Sequence, residues 1–131
     1  MGGRIAVVDD DPVFLTLLHD LLAEEGYEPH LFHDGLKAYP RIHALAPRAI
    51  ILDVRMESPT AAWRLLARAW DDPVLRHTHI IVCTGNLPSL GDHAVDLEAR
   101  GCGVLVKPFD VHDLLDLLAR LIDRSIPTGQ A

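Results

Sequence analysis

Asp9, Asp10, Asp53, Thr84 and Lys107 each stand where a short apolar run stops. Asp53 closes Ala49-Ile50-Ile51-Leu52, a run that reads as a strand buried on both faces. Asp is disfavoured in strands and cores, so a carboxylate at that last position points out of the carboxyl edge of a sheet, where open parallel sheets bind ligands. Alone, Asp53 would read as a loop cap. Its company changes that: Ile5-Ala6-Val7-Val8 stops at Asp9-Asp10, His79-Ile80-Ile81-Val82-Cys83 at Thr84, and Gly103-Val104-Leu105-Val106 at Lys107. Carboxylates brought together in one crevice repel, which calls for a hard divalent cation. Mg²⁺ suits a site with one or two direct carboxylates and several retained waters. Asp53 would then have one oxygen on the cation and one free to attack, while the Thr84 hydroxyl and the Lys107 ammonium grip the oxygens of an incoming phosphoryl group. Phosphoryl transfer needs positioning and charge neutralisation, and this set supplies both.

These strand ends need elements to hold them. After Asp9-Asp10-Asp11 comes Pro12, then Phe14, Leu17, Leu18, Leu21 and Leu22 at helical spacing, with Asp11 placed as N-cap, Pro12 as first residue and Gly26 as stop. A weaker strand is expected over about residues 28–33, at a sheet edge, and a helix over about 36–44 following Asp34-Gly35. A third helix runs from Thr60 to about Trp70, where Trp63 and Trp70 share a face that reads as core packing. Residues 87–100 hold a short helix of uncertain bounds, because Pro88 and Gly91 interrupt it. Asp110 and Asp113 resemble a capping arrangement for a last helix over about 111–124. Leu117 and Leu121 widen that helix's apolar face, as extra core or as a partner or dimer surface. Strands and helices alternate strictly and the strands are apolar throughout, so the fold is α/β, with a parallel sheet covered on both faces.

Composition sets further bounds. The 131 residues make one domain, 49% apolar and 24% charged, with a net charge of −7 that disfavours nucleic acid and anionic membranes as partners. No apolar run approaches a membrane span, and no leader precedes the first strand. Cys83 and Cys102 lack CxxC spacing, which argues against a redox motif or zinc site and for a reduced, cytoplasmic setting. The eight histidines are dispersed and read as structural or solvated.

Val7-Val8-Asp9-Asp10, Leu52-Asp53-Val54-Arg55-Met56, Thr84-Gly85 and Lys107-Pro108-Phe109 together resemble the receiver domain of two-component response regulators, over about residues 4–124. Residues 125–131 read as a polar tail. The resemblance implies a flavodoxin-like (βα)5 three-layer sandwich with sheet order 2-1-3-4-5. It implies Asp53 as phosphoacceptor, Asp10 on Mg²⁺ directly, Asp9 largely through water, the Arg55 backbone carbonyl as a further ligand, Thr84 and Lys107 on the phosphoryl group, and a cis Lys107-Pro108 bond. The implied partners are a sensor histidine kinase or phosphotransfer protein, a downstream protein target, and a second copy through the last helix.

Two departures stand out. Met56-Glu57 replaces the family's usual Met-Pro pair, and Val104 stands where an aromatic usually lies three residues before the lysine. Three functions remain open. One is a stand-alone phosphoaccepting receiver, not an enzyme in the usual sense, that signals by partner binding or phosphorelay. Another is a receiver-fold interaction module that works without phosphate. The third is an Asp-nucleophile phosphatase of the haloacid dehalogenase type, disfavoured because Arg55 stands where a second carboxylate is expected.

Overall fold

The computed structural model describes residues 3–54, 59–85 and 87–124. Five parallel strands, β1 (Arg4–Val8), β2 (Glu28–Phe32), β3 (Ala49–Asp53), β4 (His79–Thr84) and β5 (Gly103–Val106), form one sheet in the order β2-β1-β3-β4-β5. The helices are α1 (Pro12–Glu24), α2 (Gly35–Leu45), α3 (Pro59–Asp71), α4 (His93–Ala99) and α5 (Val111–Arg124), with a 3-10 turn over Leu87–Leu90. This is the flavodoxin-like (βα)5 sandwich that the sequence implies, with the weakly apolar β2 at one edge.

Strand alternation sorts the core into two layers. Ala6, Val8, Ile50, Leu52, Ile80 and Val82 face α2, α3 and α4, where they meet Ile42, Leu65, Leu66 and Leu97. Ile5, Val7, Ala49, Ile51, Ile81 and Cys83 face α1 and α5, where they meet Leu18, Leu22, Leu114 and Leu118. Both faces of the central strands are therefore buried, which is why their sequences are apolar without interruption.

Helix α1 starts and stops as expected. The Asp11 side chain accepts a hydrogen bond from the Val13 amide at 3.0 Å, Pro12 follows, and Gly26 adopts φ +90° beyond the last turn. Of the predicted face, Leu18 and Leu22 are buried and Phe14 and Leu21 pack partly buried against the same layer, whereas Leu17 is 48% exposed and Leu15 is buried instead. Two helical frames overlap in this leucine-rich segment, and periodicity alone cannot choose between them. On α5, Leu121 is buried and Leu117 packs so closely on β5 that a Cβ at Gly103 would lie 2.8 Å from it. Both extra leucines therefore pack within the molecule.

The tryptophans do more than fill core. Trp63 stacks on His93 with ring centroids 3.8 Å apart, and the Arg100 guanidinium lies 4.3 Å from the Trp70 ring centre. Trp63 and Trp70 are seven residues apart, as are His93 and Arg100, so α3 holds both ends of α4. Below them, Asp72 accepts hydrogen bonds from the Tyr39 hydroxyl at 2.6 Å and the Val74 amide at 2.8 Å, and pairs with His43 Nδ1 at 2.5 Å. This cluster joins α2 to the turn after α3. The Tyr39 hydroxyl, then His43 and the Val74 amide, holds the Asp72 carboxyl down at about 2, whereas burial and then Asp72 push Tyr39 up to about 12.

A depressed carboxylate stabilises the fold above its unfolded pKa and loses that contribution as pH falls through its folded pKa. Acid unfolding should therefore include a loss between the ordinary value of 3.8 and about 2 that Asp72→Asn removes, measured as the urea midpoint against pH. Parallel wild-type and variant curves across that window would show that Asp72 contributes nothing to it.

Candidate functional site

The carboxyl edge of the sheet gathers the predicted residues by the same alternation that sorts the core. Asp9, Asp53 and Lys107 continue the parity of Val7, Ile51 and Leu105, on the α1/α5 face. Lys107 Nζ donates to Asp9 Oδ2 at 2.9 Å and lies 3.4 Å from Asp53 Oδ2. Asp9 and Asp53 are buried, whereas Asp10 is exposed at the mouth. Thr84, fully buried at the end of β4, shares the parity of Val82. The Lys107-Pro108 bond is cis, as the resemblance implies. Arg55 and its carbonyl lie outside the described residues, as do Met56, Glu57 and the segment 125–131.

The electrostatics follow from crowding. Burial raises the Asp9 carboxyl above its ordinary value, and the neighbouring Asp53 charge adds to that, although hydrogen bonds from Lys107 and the Asp11 amide oppose it. Burial alone would lower the Lys107 ammonium, but its hydrogen bond to Asp9 and the charges of Asp53 and Asp9 outweigh this and raise it. Lys107 is thus shared between two buried carboxylates, and a third, Asp10, stands beside them. Asp9, Asp10 and Asp53 each offer an oxygen, all within 4.8 Å of one another. Oxygens sharing an octahedral Mg²⁺ at about 2.1 Å lie on the order of 3–4 Å apart, so this donor set fits that ion after small side-chain adjustment.

Asp9 already uses both oxygens. Oδ1 accepts from the Asp11 amide at 2.9 Å and Oδ2 from Lys107. Beneath the carboxylates, burial pushes the Cys83 thiol up to about 12, and the half-buried Cys102 thiol is likewise raised, to about 11. Neither is an activated nucleophile.

The sequence motifs omit Phe14. Its ring centre lies 4.1 Å from Lys107 Nζ, and Phe109 meets it at 82° with centroids 6.0 Å apart. Position supplies the only sequence signal: Phe14 lies four residues past Asp10, in the first turn of α1. On β5, Val104 is half-buried against the α3/α4 core layer, which suits packing and carries no ring to move. Among the described residues no helix is long and apolar enough to cross a membrane.

Known proteins resemble this chain in sequence and fold. The chain is 32% identical over 134 residues to the response regulator MprA of Mycobacterium tuberculosis, covering 100% of this chain and 55% of that protein. MprA of Mycobacterium avium matches at 32% over 131 residues, covering 98% of this chain and 54% of that protein. The chain therefore spans about half the length of the curated relatives it matches. Among solved structures, the chemotaxis response regulator CheY4 of Vibrio cholerae superposes with a TM-score of 0.78 at 26% identity, over 92% of this chain and 99% of that one. The receiver domain of the sensor histidine kinase PA1611 of Pseudomonas aeruginosa, crystallised with a magnesium ion coordinated in its active site cleft, gives 0.75 at 28%, over 94% and 99%. The response regulator receiver domain family matches residues 5–119, and with the strand order and the acidic edge already described, this chain belongs to that family of two-component signalling domains.

Proposed function

We propose that Asp53 accepts a phosphoryl group from a phosphohistidine on a sensor histidine kinase or phosphotransfer protein, and that the chain signals in the cytoplasm by partner binding or onward relay. The observation that carries this is Lys107 Nζ set between two buried carboxylates, 2.9 Å from Asp9 and 3.4 Å from Asp53. Such a crowded anionic edge is costly in itself and suits a site that takes up a cation and then an anion.

Asp10, Asp53 and the Arg55 carbonyl would hold Mg²⁺ directly. Asp9 would act largely through water, in keeping with its two oxygens being engaged already. When bound, Mg²⁺ supplies charge neutralisation for the transferring group. The Asp53 oxygen forms the new P–O bond as the donor's P–N bond breaks, and the electron pair leaves on the imidazole. Lys107 and Thr84 then hold phosphoryl oxygens and orient the product. Val13, 76% exposed, and Leu17 on α1 give a protein donor an apolar surface beside this edge. A stand-alone domain and the receiver half of a longer protein are equally compatible with this chemistry. For a homodimer through α5, Leu121 offers little because it is buried, while Leu117 is half-buried against Gly103.

The second function, an interaction module that works without phosphate, is favoured by Val104, which offers no ring to report on Thr84. Acetyl phosphate with Mg²⁺ separates the two. Wild type should gain the mass of one phosphoryl group and Asp53→Asn should gain none; a wild type that stays unmodified would leave the interaction module standing. Lys107→Met tests the ion pair. Removing the cation shared by two buried carboxylates should lower metal-free stability by about 1–3 kcal/mol, tempered by the lysine's partial exposure, with part of the loss recovered in Mg²⁺. An unchanged urea midpoint would mean that the pair does not support the fold.

A further inference from the structure

We infer that Phe14 is a positioning residue for Lys107, holding its ammonium at the phosphoryl site by the face of its ring. The inference rests on the phosphoacceptor function proposed above. Among the described residues, Asp9 at 2.9 Å, Asp53 at 3.4 Å and the Phe14 ring centre at 4.1 Å favour the ammonium where it lies. Asp53 is a partner that a divalent cation would also use, Asp9 would share its charge with that cation through water, and a bound cation offsets the negative charge that draws Lys107 inward. The ring face is indifferent to that cation. It attracts the ammonium through its quadrupole and competes for no metal. With the metal in place, Phe14 is therefore a neighbour whose hold on this flexible four-carbon side chain the cation leaves undiminished.

The surroundings support this role. Phe14 and Lys107 line one cavity of about 390 Å³ with Gly85 and Pro108, so close packing does not confine the lysine. Phe109 braces the Phe14 ring from the side at 82°, with centroids 6.0 Å apart. Phe14 itself is only half-buried and packs at the margin of the α1/α5 core layer, so its ring is not committed to the interior. In the first turn of α1, whose start is fixed by Asp11, the ring's height above the sheet is set by the same loop that carries Asp9 and Asp10.

Autophosphorylation by acetyl phosphate tests the inference. The Asp53 oxygen displaces acetate, which leaves with the electron pair of the broken P–O bond. At saturating Mg²⁺, Phe14→Leu should lower the rate at saturating donor by about three- to tenfold, while Phe14→Tyr, which keeps the ring face, should stay within about twofold of wild type. Mg²⁺ affinity should be unchanged in both. Equal rates for Leu and wild type, or an equal loss for Leu and Tyr, would overturn the positioning role. A second readout needs no variant. The Lys107 ε-methylene protons of wild type should show an upfield ring-current shift in the NMR spectrum that persists in Mg²⁺, and its disappearance on adding Mg²⁺ would overturn the inference. A wild type that takes no phosphate would instead sink the phosphoacceptor function, leaving the ring-current shift to judge the contact by itself.

Discussion

The structure turns on a conflict of charge at the carboxyl edge of its sheet. Asp9 and Asp53 are both buried and face the same side, and the Lys107 ammonium reaches both. Isolated carboxylates in such a place are costly, and one shared cation only partly offsets them. The fold tolerates the arrangement because β1, β3 and β5, the last two separated by β4, present residues of one parity at their ends, while two packed core layers hold the sheet in register. What is a liability for stability is an asset for binding. On the function proposed above, an edge rich in negative charge would favour a divalent cation, and the cation with Lys107 would then favour a phosphoryl group.

Much of this was legible in the sequence, for a physical reason. A parallel sheet covered on both faces requires unbroken apolar runs, so the polar residue that ends each run marks the edge where ligands bind. Asp9, Asp53, Thr84 and Lys107 are conspicuous in that way. Helix caps were legible too, because the Asp11 cap is a local interaction over two residues. The place of Leu15 on α1 was not, since Leu15 and Leu17 are both apolar and only packing against the sheet selects Leu15. The Tyr39–Asp72–His43 cluster escaped for the opposite reason. Its partners are 29 and 33 residues apart and carry no local signature. Phe14 over Lys107 is likewise a contact between the two ends of the chain.

The aromatic residues divide in an instructive way. Where the family usually has a ring on the last strand, Val104 fills core. Rings are instead found at Phe14, against the site's ammonium, and at Trp63 and Trp70, against the two ends of α4. The α4 helix is short, follows a 3-10 turn, and leans on α3 by one stack and one cation–π contact. Any displacement of α4 relative to α3 must break or slide these contacts, so both tryptophans sit where such a movement would be felt.

The most direct test of the charge conflict and its resolution is a crystal structure of the protein grown with Mg²⁺ and beryllofluoride. A phosphoacceptor edge predicts beryllium bonded to an Asp53 oxygen, fluorines within hydrogen-bond reach of Thr84 and Lys107, and a cation held by Asp10, Asp53 and the Arg55 carbonyl. Asp53 free of beryllium, with Lys107 still spanning Asp9 and Asp53 in the presence of both ions, would contradict it.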